Sequence, residues 1–263
     1  MRVLVTGAAS GLGAALVDAF AARGDTVLAT DLSGAHVAMT TSPPDKSVVR
    51  RDLDVTSEGD WAAAVAWVEH EWGGLDVLVN NAGVAGGGRI ELTSIEDWRW
   101  IFDVNLFGVV RGTRAFVPML KAQGSGRIVN IASLAGLVHP PAMGSYNAVK
   151  AAVVAFTETC AHELAPWGVA CTAVCPSYFR TNLMSSLRGG DEDLAAHMTK
   201  LVQDSPITAE EIAAAVLEGI DRGDELVVPD APARAAVALK QADRAAYDAQ
   251  MRATAARIRE REA

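Results

Sequence analysis

The stretch that decides the fold is the start of the chain, Met1-Arg2-Val3-Leu4-Val5-Thr6-Gly7-Ala8-Ala9-Ser10-Gly11-Leu12-Gly13. Its apolar run Val3-Leu4-Val5 predicts a buried strand, and a glycine-containing turn separates this strand from an Ala-rich helical segment. Glycine lets the backbone turn sharply and bring N–H groups against a phosphate, and the next helix directs its positive end to the same place. The sequence therefore predicts a phosphate-binding α/β unit; the alternative is a tight turn without a ligand.

The rest of the chain alternates short apolar runs with longer helical segments. The further runs start near residues 26, 48, 75, 127, 169 and 225, and the helical segments are 11–23, 57–72, 94–121, 145–165 and 208–222. Ser57, Ser94 and Thr208, each with an acidic residue three positions later, predict helix N-caps. Short continuous apolar runs are typical of strands buried on both faces of a parallel sheet. We therefore predict one doubly wound parallel sheet of about seven strands, with helices on both faces, over residues 1–229.

Two segments depart from this alternation. Residues 177–207 have no regular pattern, and we expect them to form an irregular lid. Residues 230–263 predict a C-terminal helical tail that packs on the domain or contacts another subunit, rather than a second domain. The apolar residues of one helical stripe in this tail are Tyr247, Met251, Ala255 and Ile258.

Composition excludes several classes of protein. The 263 residues are 50% hydrophobic and carry a net charge of -9, which argues against a nucleic-acid partner because the phosphate backbone requires a basic face. No apolar run approaches the ~18 residues that span a bilayer, and the N-terminal run is too short for a signal peptide. Three cysteines without zinc-like spacing predict buried, reduced thiols and no metal site. We expect a cytoplasmic protein without a membrane partner.

An acidic residue, Asp31, ends the second predicted strand. A carboxylate at this place accepts hydrogen bonds from the adenosine ribose hydroxyls of a dinucleotide and repels a 2′-phosphate. Neither Ser10 nor Leu32 supplies a compensating cation. The sequence therefore favours NAD over NADP, and the alternative is that Asp31 is only a turn residue.

A second group of residues predicts acid/base chemistry. Tyr146 and Lys150 are four positions apart at the start of a predicted helix, so they share one helical face. The pKa of a free tyrosine, about 10, is too high for efficient base catalysis at neutral pH, and a nearby ammonium lowers it. Ser133 follows the fifth predicted strand at the carboxyl edge of the sheet, where its hydroxyl is placed to donate to a substrate oxygen.

In combination, these motifs resemble the short-chain dehydrogenase/reductase family. They occur in the family's order from residue 6 to residue 181 and cover nearly the whole predicted domain. The matching pieces are Thr6-Gly7-x3-Gly11-x-Gly13, Asp54-Val55, Asn80-Asn81-Ala82-Gly83, Asn105, Ser133, Tyr146-x3-Lys150 and the segment from Pro176 to Thr181.

The resemblance implies a Rossmann-type fold and an NAD(P)-dependent oxidoreductase. Tyr146 is then the general acid/base, Ser133 orients the reacting oxygen, Lys150 binds the nicotinamide ribose and lowers the tyrosine pKa, and Asn105 holds a relay water. The resemblance and Asp31 together imply this set of cofactor contacts: Gly7, Ser10, Gly11, Leu12, Gly13, Asp31, Leu32, Asp54, Val55, Asn81, Ala82, Gly83, Tyr146, Lys150, Pro176, Phe179 and Thr181. Asp54 and Val55 are placed at the adenine, and Phe179 and Thr181 at the carboxamide; the alternative for Asn81 is that it braces the sheet.

One departure from the family pattern concerns the sixth strand. The family usually has Pro-Gly there, whereas this chain has Pro176-Ser177. Because a side chain disfavours positive φ, we expect the following loop to run differently.

The substrate is expected to be a secondary alcohol or ketone with substantial hydrocarbon bulk, such as a steroid-like, terpenoid, aryl or aliphatic molecule. This expectation rests on two sets of apolar side chains, although the alternative is that they only pack the lid. They are Leu134, Leu137, Val138, Pro140 and Met143 before Tyr146, and Met184, Leu187, Leu194, Met198 and Leu201 in the lid. His139 is interpreted as incidental rather than as a substrate contact.

Other functions remain open at this stage. They are an NADP-dependent ketoreductase, a non-catalytic dinucleotide-sensing protein on the same fold, and an epimerase or dehydratase. The helices at 94–121 and 145–165 are those through which relatives assemble, so the resemblance implies a homotetramer, with a dimer as the alternative.

Overall fold

Seven parallel strands form a single sheet in this computed structural model, which describes residues 1–35, 47–188 and 191–260. The strand order is β3-β2-β1-β4-β5-β6-β7, and every neighbouring pair is parallel. This confirms the predicted doubly wound sheet. The strands are β1 (Arg2–Thr6), β2 (Thr26–Asp31), β3 (Val48–Asp52), β4 (Val77–Asn80), β5 (Gly126–Ile131), β6 (Val169–Val174) and β7 (Leu226–Val227).

The helices lie on both faces of this sheet. As a result, successive side chains of the central strands are buried alternately on one face and on the other. Val3 and Val5 of β1 pack with Phe20 and Ile212 on one face, whereas Leu4 packs with a different set of helices on the other. The α-helices are α1 (Gly11–Ala22), α2 (Glu58–Trp72), α3 (Ile95–Phe102), α4 (Gly108–Gln123), α5 (Gly144–Leu164), α6 (Glu192–Gln203), α7 (Ala209–Arg222), α8 (Ala231–Ala242) and α9 (Arg244–Arg259).

The three predicted N-caps are confirmed. The side chains of Ser57 and Ser94 accept the backbone N–H groups three residues later, and Thr208 forms a complete capping box with Glu211. Each cap satisfies a backbone donor that the first helical turn leaves without an intrahelical partner.

The helical segment predicted over 94–121 is present, but it contains a π-helical turn that the sequence does not predict. The segment consists of α3, a π-helical turn at Asp103–Phe107, and α4. A π-helical turn contains an additional residue, which changes the direction in which side chains of that turn point. Periodicity over a long window does not detect one inserted residue, and here the insertion surrounds Asn105.

We expected residues 177–207 to be irregular, and for the described residues this expectation is wrong. They contain a 3-10 helix at Asn182–Ser186 and the amphipathic helix α6, whose Asp191 side chain accepts the N–H of Leu194 as an N-cap. Arg89 holds the same carboxylate at 2.8 Å and so ties this segment to the loop after β4.

The C-terminal tail forms two helices that pack on their own chain, next to the loop between β5 and α5. The phenol oxygen of Tyr247 accepts the N–H of His139 at 3.0 Å, and the ammonium of Lys240 donates to the carbonyl of Leu137. Ile258 packs against the cluster that includes Tyr146. These contacts fit the packing alternative for the tail, and a contact with another subunit stays a prediction.

Three further observations concern the cysteines, bilayer-spanning helices and metal ligands. Cys160, Cys171 and Cys175 are buried and unpaired, as expected. Within the described ranges, no helix is both long and apolar enough to cross a bilayer, and no group of His, Cys, Asp and Glu side chains is arranged to hold a metal ion.

Replacing Tyr247 with Phe tests the docking of the tail. The substitution removes the oxygen that accepts the His139 N–H, so we expect the free energy of unfolding to fall by about 1 kcal/mol, measured by urea denaturation. Thr254→Ala on the same helix α9 removes only a hydroxyl bonded to the carbonyl of Gln250, and its effect should stay within about 0.5 kcal/mol. Equal stabilities of the two variants would contradict the docking.

Candidate active site

The cleft begins where the order of strands reverses. β1 lies between β2 and β4, and the segments that follow β1 and β4 separate there, which is the place where open α/β sheets bind ligands. The Asn81 side-chain amide donates to the carbonyls of Thr6 at 2.8 Å and Gly7 at 3.1 Å. In return, the hydroxyl of Thr6 accepts the N–H groups of Asn81 and Ala82, both at 3.0 Å. Asn81 therefore braces the sheet, and it also lines the cleft.

The glycine turn after β1 leaves no room for side chains. Gly7 has φ +64°, and a Cβ on it would lie 2.7 Å from the Cα of Ala82. A Cβ on Gly13 would overlap the carbonyl oxygen of Gly7. Helix α1 starts directly afterwards, and within the described chain its N-cap Ser10 makes no side-chain capping bond. The N–H groups at this helix end are thus available to an anion in the cleft.

Asp31 and Asp54 lie on the neighbouring strand ends. One carboxylate oxygen of Asp31 accepts the N–H of Ala9 and the other that of Leu32, both at 2.8 Å. An oxygen of Asp54 accepts the N–H and the hydroxyl of Thr56. These bonds hold both carboxylates rigidly at the edge of the cleft, and Leu32 is 56% exposed beside Asp31.

Tyr146 and Lys150 are buried on the first turns of α5. The lysine ammonium donates to the carbonyl of Ile131 at 2.9 Å and lies 5.8 Å from the centre of the Tyr146 ring. Burial raises the pKa of Tyr146 to about 12, against a smaller lowering by its hydrogen bond with Ser133. Burial also lowers the pKa of Lys150 to about 8. Desolvation of the charged form explains both directions, and the lowering of the tyrosine pKa by the Lys150 ammonium stays a prediction.

Ser133 directly precedes a 3-10 turn, Leu134–Gly136, and its hydroxyl accepts the N–H of Ala135 at 3.1 Å. This cap holds the serine side chain at the carboxyl edge next to Tyr146. The hydroxyl accepts this N–H and can still donate its own proton, since a serine hydroxyl is both a donor and an acceptor.

Asn105 lies in the π-helical turn behind the cleft and is 1% exposed. Its side-chain oxygen accepts the N–H of Val84 at 2.8 Å, and its side-chain nitrogen donates to the carbonyl of Val84 at 2.9 Å. The two bonds fix the backbone of the loop after β4, which lines the cleft at Gly83 and Val84.

The residues implied for catalysis and cofactor contact come together in one cleft of about 660 Å³. All of them line it except Gly11 and Asn105. Gly11 is instead the point of closest approach to Thr181, because a Cβ on it would lie 2.6 Å from the Thr181 hydroxyl. The contact leaves no space for a side chain between α1 and the loop after β6.

The apolar side chains expected around a substrate are only partly at the cleft. Leu137, Leu187, Leu194 and Leu201 do not line it, and the ring of His139 contacts Lys240 rather than the cleft. Those that do line it are Leu134, Val138, Pro140, Met143, Met184 and Met198. Among the further residues that line the cleft, Trp100, Arg188 and Val202 belong to no motif of the sequence, and Tyr178 lies within the segment from Pro176 to Thr181.

The departure at Ser177 has a structural explanation. The Ser177 N–H and hydroxyl both donate to the carboxylate of Asp230, at 2.9 and 2.6 Å. Asp230 also caps α8 through the N–H of Ala233. Positive φ is not needed here, since Ala142 is the single residue other than glycine with positive φ in the described part of the chain. Ser177 thus ties the loop after β6 to the start of the tail.

Comparison with known proteins agrees with this arrangement. Residues 1–192 match the family described as short chain dehydrogenase. The 2-(R)-hydroxypropyl-CoM dehydrogenase of Xanthobacter autotrophicus is 39% identical, over 81% of this chain and 88% of the relative. The 3-alpha-(or 20-beta)-hydroxysteroid dehydrogenase of Mycobacterium tuberculosis is 40% identical over 68% of each chain.

Solved structures give the same result. A short chain dehydrogenase/reductase from Burkholderia phymatum in complex with NAD superimposes with a TM-score of 0.83 at 30% identity, covering 92% of this chain and 93% of that one. A short chain dehydrogenase from Burkholderia cenocepacia J2315 in complex with NADP has a TM-score of 0.80 at 30% identity, covering 95% and 96%. With its parallel sheet, glycine turn and Ser133–Tyr146–Lys150 group, the chain belongs to the short-chain dehydrogenase/reductase family of oxidoreductases.

Proposed function

We propose that the chain interconverts a secondary alcohol and its ketone with NAD(H), using Tyr146 as the general acid/base. The observation that carries this proposal is the convergence of Ser133, Tyr146 and Lys150 in the same cleft as the glycine turn and Asp31. The relatives named above act on secondary alcohols, which supports the same reaction class here.

The residues present fit a dinucleotide. Gly7 and Gly13 let the turn pack closely against Ala82 and Asn81, where a Cβ would clash, and the N-terminal N–H groups of α1 lack a side-chain cap within the described chain. These features suit a pyrophosphate, and the Asp31 carboxylate suits the ribose hydroxyls. When bound, the nicotinamide supplies the hydride acceptor or donor.

The chain's own residues then handle the proton. In the oxidation direction, the Tyr146 phenolate would take the proton of the alcohol hydroxyl, and a bound nicotinamide would accept the hydride of the carbinol carbon. The Ser133 hydroxyl donates to the same substrate oxygen and keeps it beside the phenol. The positive charge of Lys150 favours the phenolate, and the apolar residues around Tyr146 exclude water. In the reduction direction, the phenol returns its proton to the developing alkoxide.

The cofactor is NAD rather than NADP. The support is Asp31, whose carboxylate is held by two backbone N–H groups at the edge of the cleft, where it repels a 2′-phosphate. Because similar structures hold NAD in one case and NADP in another, membership of the family does not decide between them.

The substrate has a hydrocarbon body. The cleft wall beyond Tyr146 consists largely of the methionine, proline and aliphatic side chains described above, which desolvate an apolar molecule.

A non-catalytic dinucleotide sensor has no use for the Ser133–Tyr146–Lys150 group.

The proposed assembly is a homotetramer in the cytoplasm. The half-exposed Phe107 at the start of α4, together with the partly exposed apolar residues Ala152 and Phe156 of α5, supports contacts between subunits through these helices.

Tyr146→Phe removes the proposed acid/base without changing the shape of the cleft. We expect kcat/KM for alcohol oxidation to fall at least about 100-fold, while the Kd for NAD, measured by calorimetry, stays within about threefold. Tyr247→Phe makes the same chemical change at a residue that does not line the cleft and whose hydroxyl accepts the N–H of His139, so this variant should retain activity. Full activity of Tyr146→Phe would remove the proposed role and favour the sensor.

The dependence on pH follows from the buried phenol. Because the pKa of Tyr146 is raised to about 12, its phenolate fraction grows about tenfold per pH unit across the neutral range. Initial rates of alcohol oxidation should therefore rise from pH 6 to 8, where Lys150, whose pKa is lowered to about 8, still carries its charge, whereas ketone reduction, which needs the protonated phenol, should not rise. Oxidation that slows over this range would contradict the assignment.

Cofactor preference tests the role of Asp31. We expect kcat/KM with NAD to exceed kcat/KM with NADP at least about tenfold. Asp31→Asn should lower this ratio, because it removes the repulsion between the carboxylate and the 2′-phosphate of NADP. Asp52 pairs with Asp31 in the sheet register but is exposed and does not line the cleft, so Asp52→Asn is the matched control. A preference of the unmodified protein for NADP would exclude the NAD assignment.

A further inference from the structure

One cation in the cleft has no role in the reaction proposed above. Arg188 lines the cleft together with Met184 and Met198, which also belong to the segment after β6, and with Trp100 of helix α3. Its backbone is held by a β-bridge to Gly86, which lies in the loop after β4. The arginine therefore belongs to the wall that surrounds the hydrocarbon body of the proposed substrate.

The guanidinium of Arg188 is held in one orientation by an aromatic ring. Its central carbon lies 3.9 Å from the centre of the Trp100 ring. A guanidinium over a ring uses its flat face for this contact, so its N–H groups, which lie in the plane, stay available as a fork that matches a carboxylate.

The other charged side chains of the cleft are already engaged. Asp103 pairs with Arg111 at 2.7 Å, and Lys150 donates to the carbonyl of Ile131. Asp31 and Asp54 accept backbone N–H groups at the opposite end, next to the glycine turn.

The acidic residue near Arg188 in the neighbouring pocket is engaged too. Asp191, which lines that pocket with Arg188, is held by Arg89 at 2.8 Å. Within the described ranges, Arg188 has neither an ion pair nor a hydrogen bond through its side chain. A guanidinium stays charged at any physiological pH. Arg188 lines the cleft but is itself exposed, so an anionic group of a bound molecule can reach it and pair with its N–H groups.

We propose that Arg188 binds an anionic group of the substrate, so that the substrate class is a secondary alcohol whose hydrocarbon body ends in a carboxylate or a similar oxyanion. This inference rests on the proposed function and deepens it. Tyr146 and Ser133 engage the hydroxyl, the methionine and aliphatic residues cover the body, and the Arg188 fork pairs with the anion. The arrangement orients the carbinol carbon in the cleft by two polar points rather than one.

The test compares charged and neutral forms of the same alcohols. Hydroxycycloalkane carboxylates and linear hydroxy acids of increasing length are assayed against their carboxamides, with NAD. We expect at least one acid to exceed its carboxamide in kcat/KM by about tenfold or more, and Arg188→Gln to abolish that preference, chiefly through KM, while carboxamide rates stay within about twofold. Arg188→Lys should retain part of the preference.

Arg99→Gln is the control variant, since Arg99 is exposed on α3, pairs with Glu96 and does not line the cleft. It should leave the preference for the acids unchanged. Acids and carboxamides turned over equally well, or an Arg188→Gln variant that lowers both alike, would overturn the anion site while leaving the alcohol dehydrogenase intact.

A binding measurement tests the anion site at Arg188 separately from the proposed dehydrogenase reaction. Calorimetry with the Tyr146→Phe protein and NAD should show that the acids bind at least about tenfold more weakly after Arg188→Gln. The same affinity with and without Arg188 would exclude the anion site. If the unmodified protein turns over no alcohol, charged or neutral, but its binding of the acids depends on Arg188, the proposed reaction is rejected and the anion site is kept.

Discussion

The structure depends on one reciprocal set of hydrogen bonds at the ends of the two central strands. The Asn81 side chain donates to the last carbonyls of the β1 segment, and the Thr6 hydroxyl accepts the first two N–H groups after β4. These are backbone groups that no strand neighbour satisfies once the two segments separate. The bonds therefore fix the positions of the two segments that border the crevice.

The other parts of the site follow from the parallel sheet. Because every strand runs in the same direction, the segment after each strand emerges at one edge. The glycine turn follows β1, Asp31 ends β2, Asn81 follows β4 and Ser133 follows β5. Helix α5 then returns across this edge and adds the Tyr146–Lys150 pair. Burial there has opposite effects on the two groups, since it raises the pKa of the phenol to about 12 and lowers the pKa of the ammonium to about 8. Desolvation of the charged form explains both directions.

The sequence was sufficient wherever a local pattern determines the structure. Apolar runs located the seven strands, three caps located helix starts, and the motif spacing identified residues that line one cleft. Patterns of this kind failed where a contact joins distant segments. The bond between Ser177 and Asp230 and the docking of Tyr247 on His139 connect positions 53 and 108 residues apart. The π-helical turn at Asn105 adds one residue within a helix, and the Arg188–Trp100 contact joins two elements with no motif of their own. The sequence shows the lysine next to Tyr146 but not the burial that raises the pKa of the phenol.

The central claim is that this cleft transfers a hydride from a carbinol carbon to a nicotinamide. The most direct measurement uses secondary alcohols carrying deuterium at the carbinol carbon, with NAD, followed by mass spectrometry of the reduced cofactor. The account predicts that the cofactor gains one deuterium per ketone formed, and that the rate falls relative to the unlabelled alcohol if the transfer limits it. Ketone formed with no deuterium in the cofactor would contradict it.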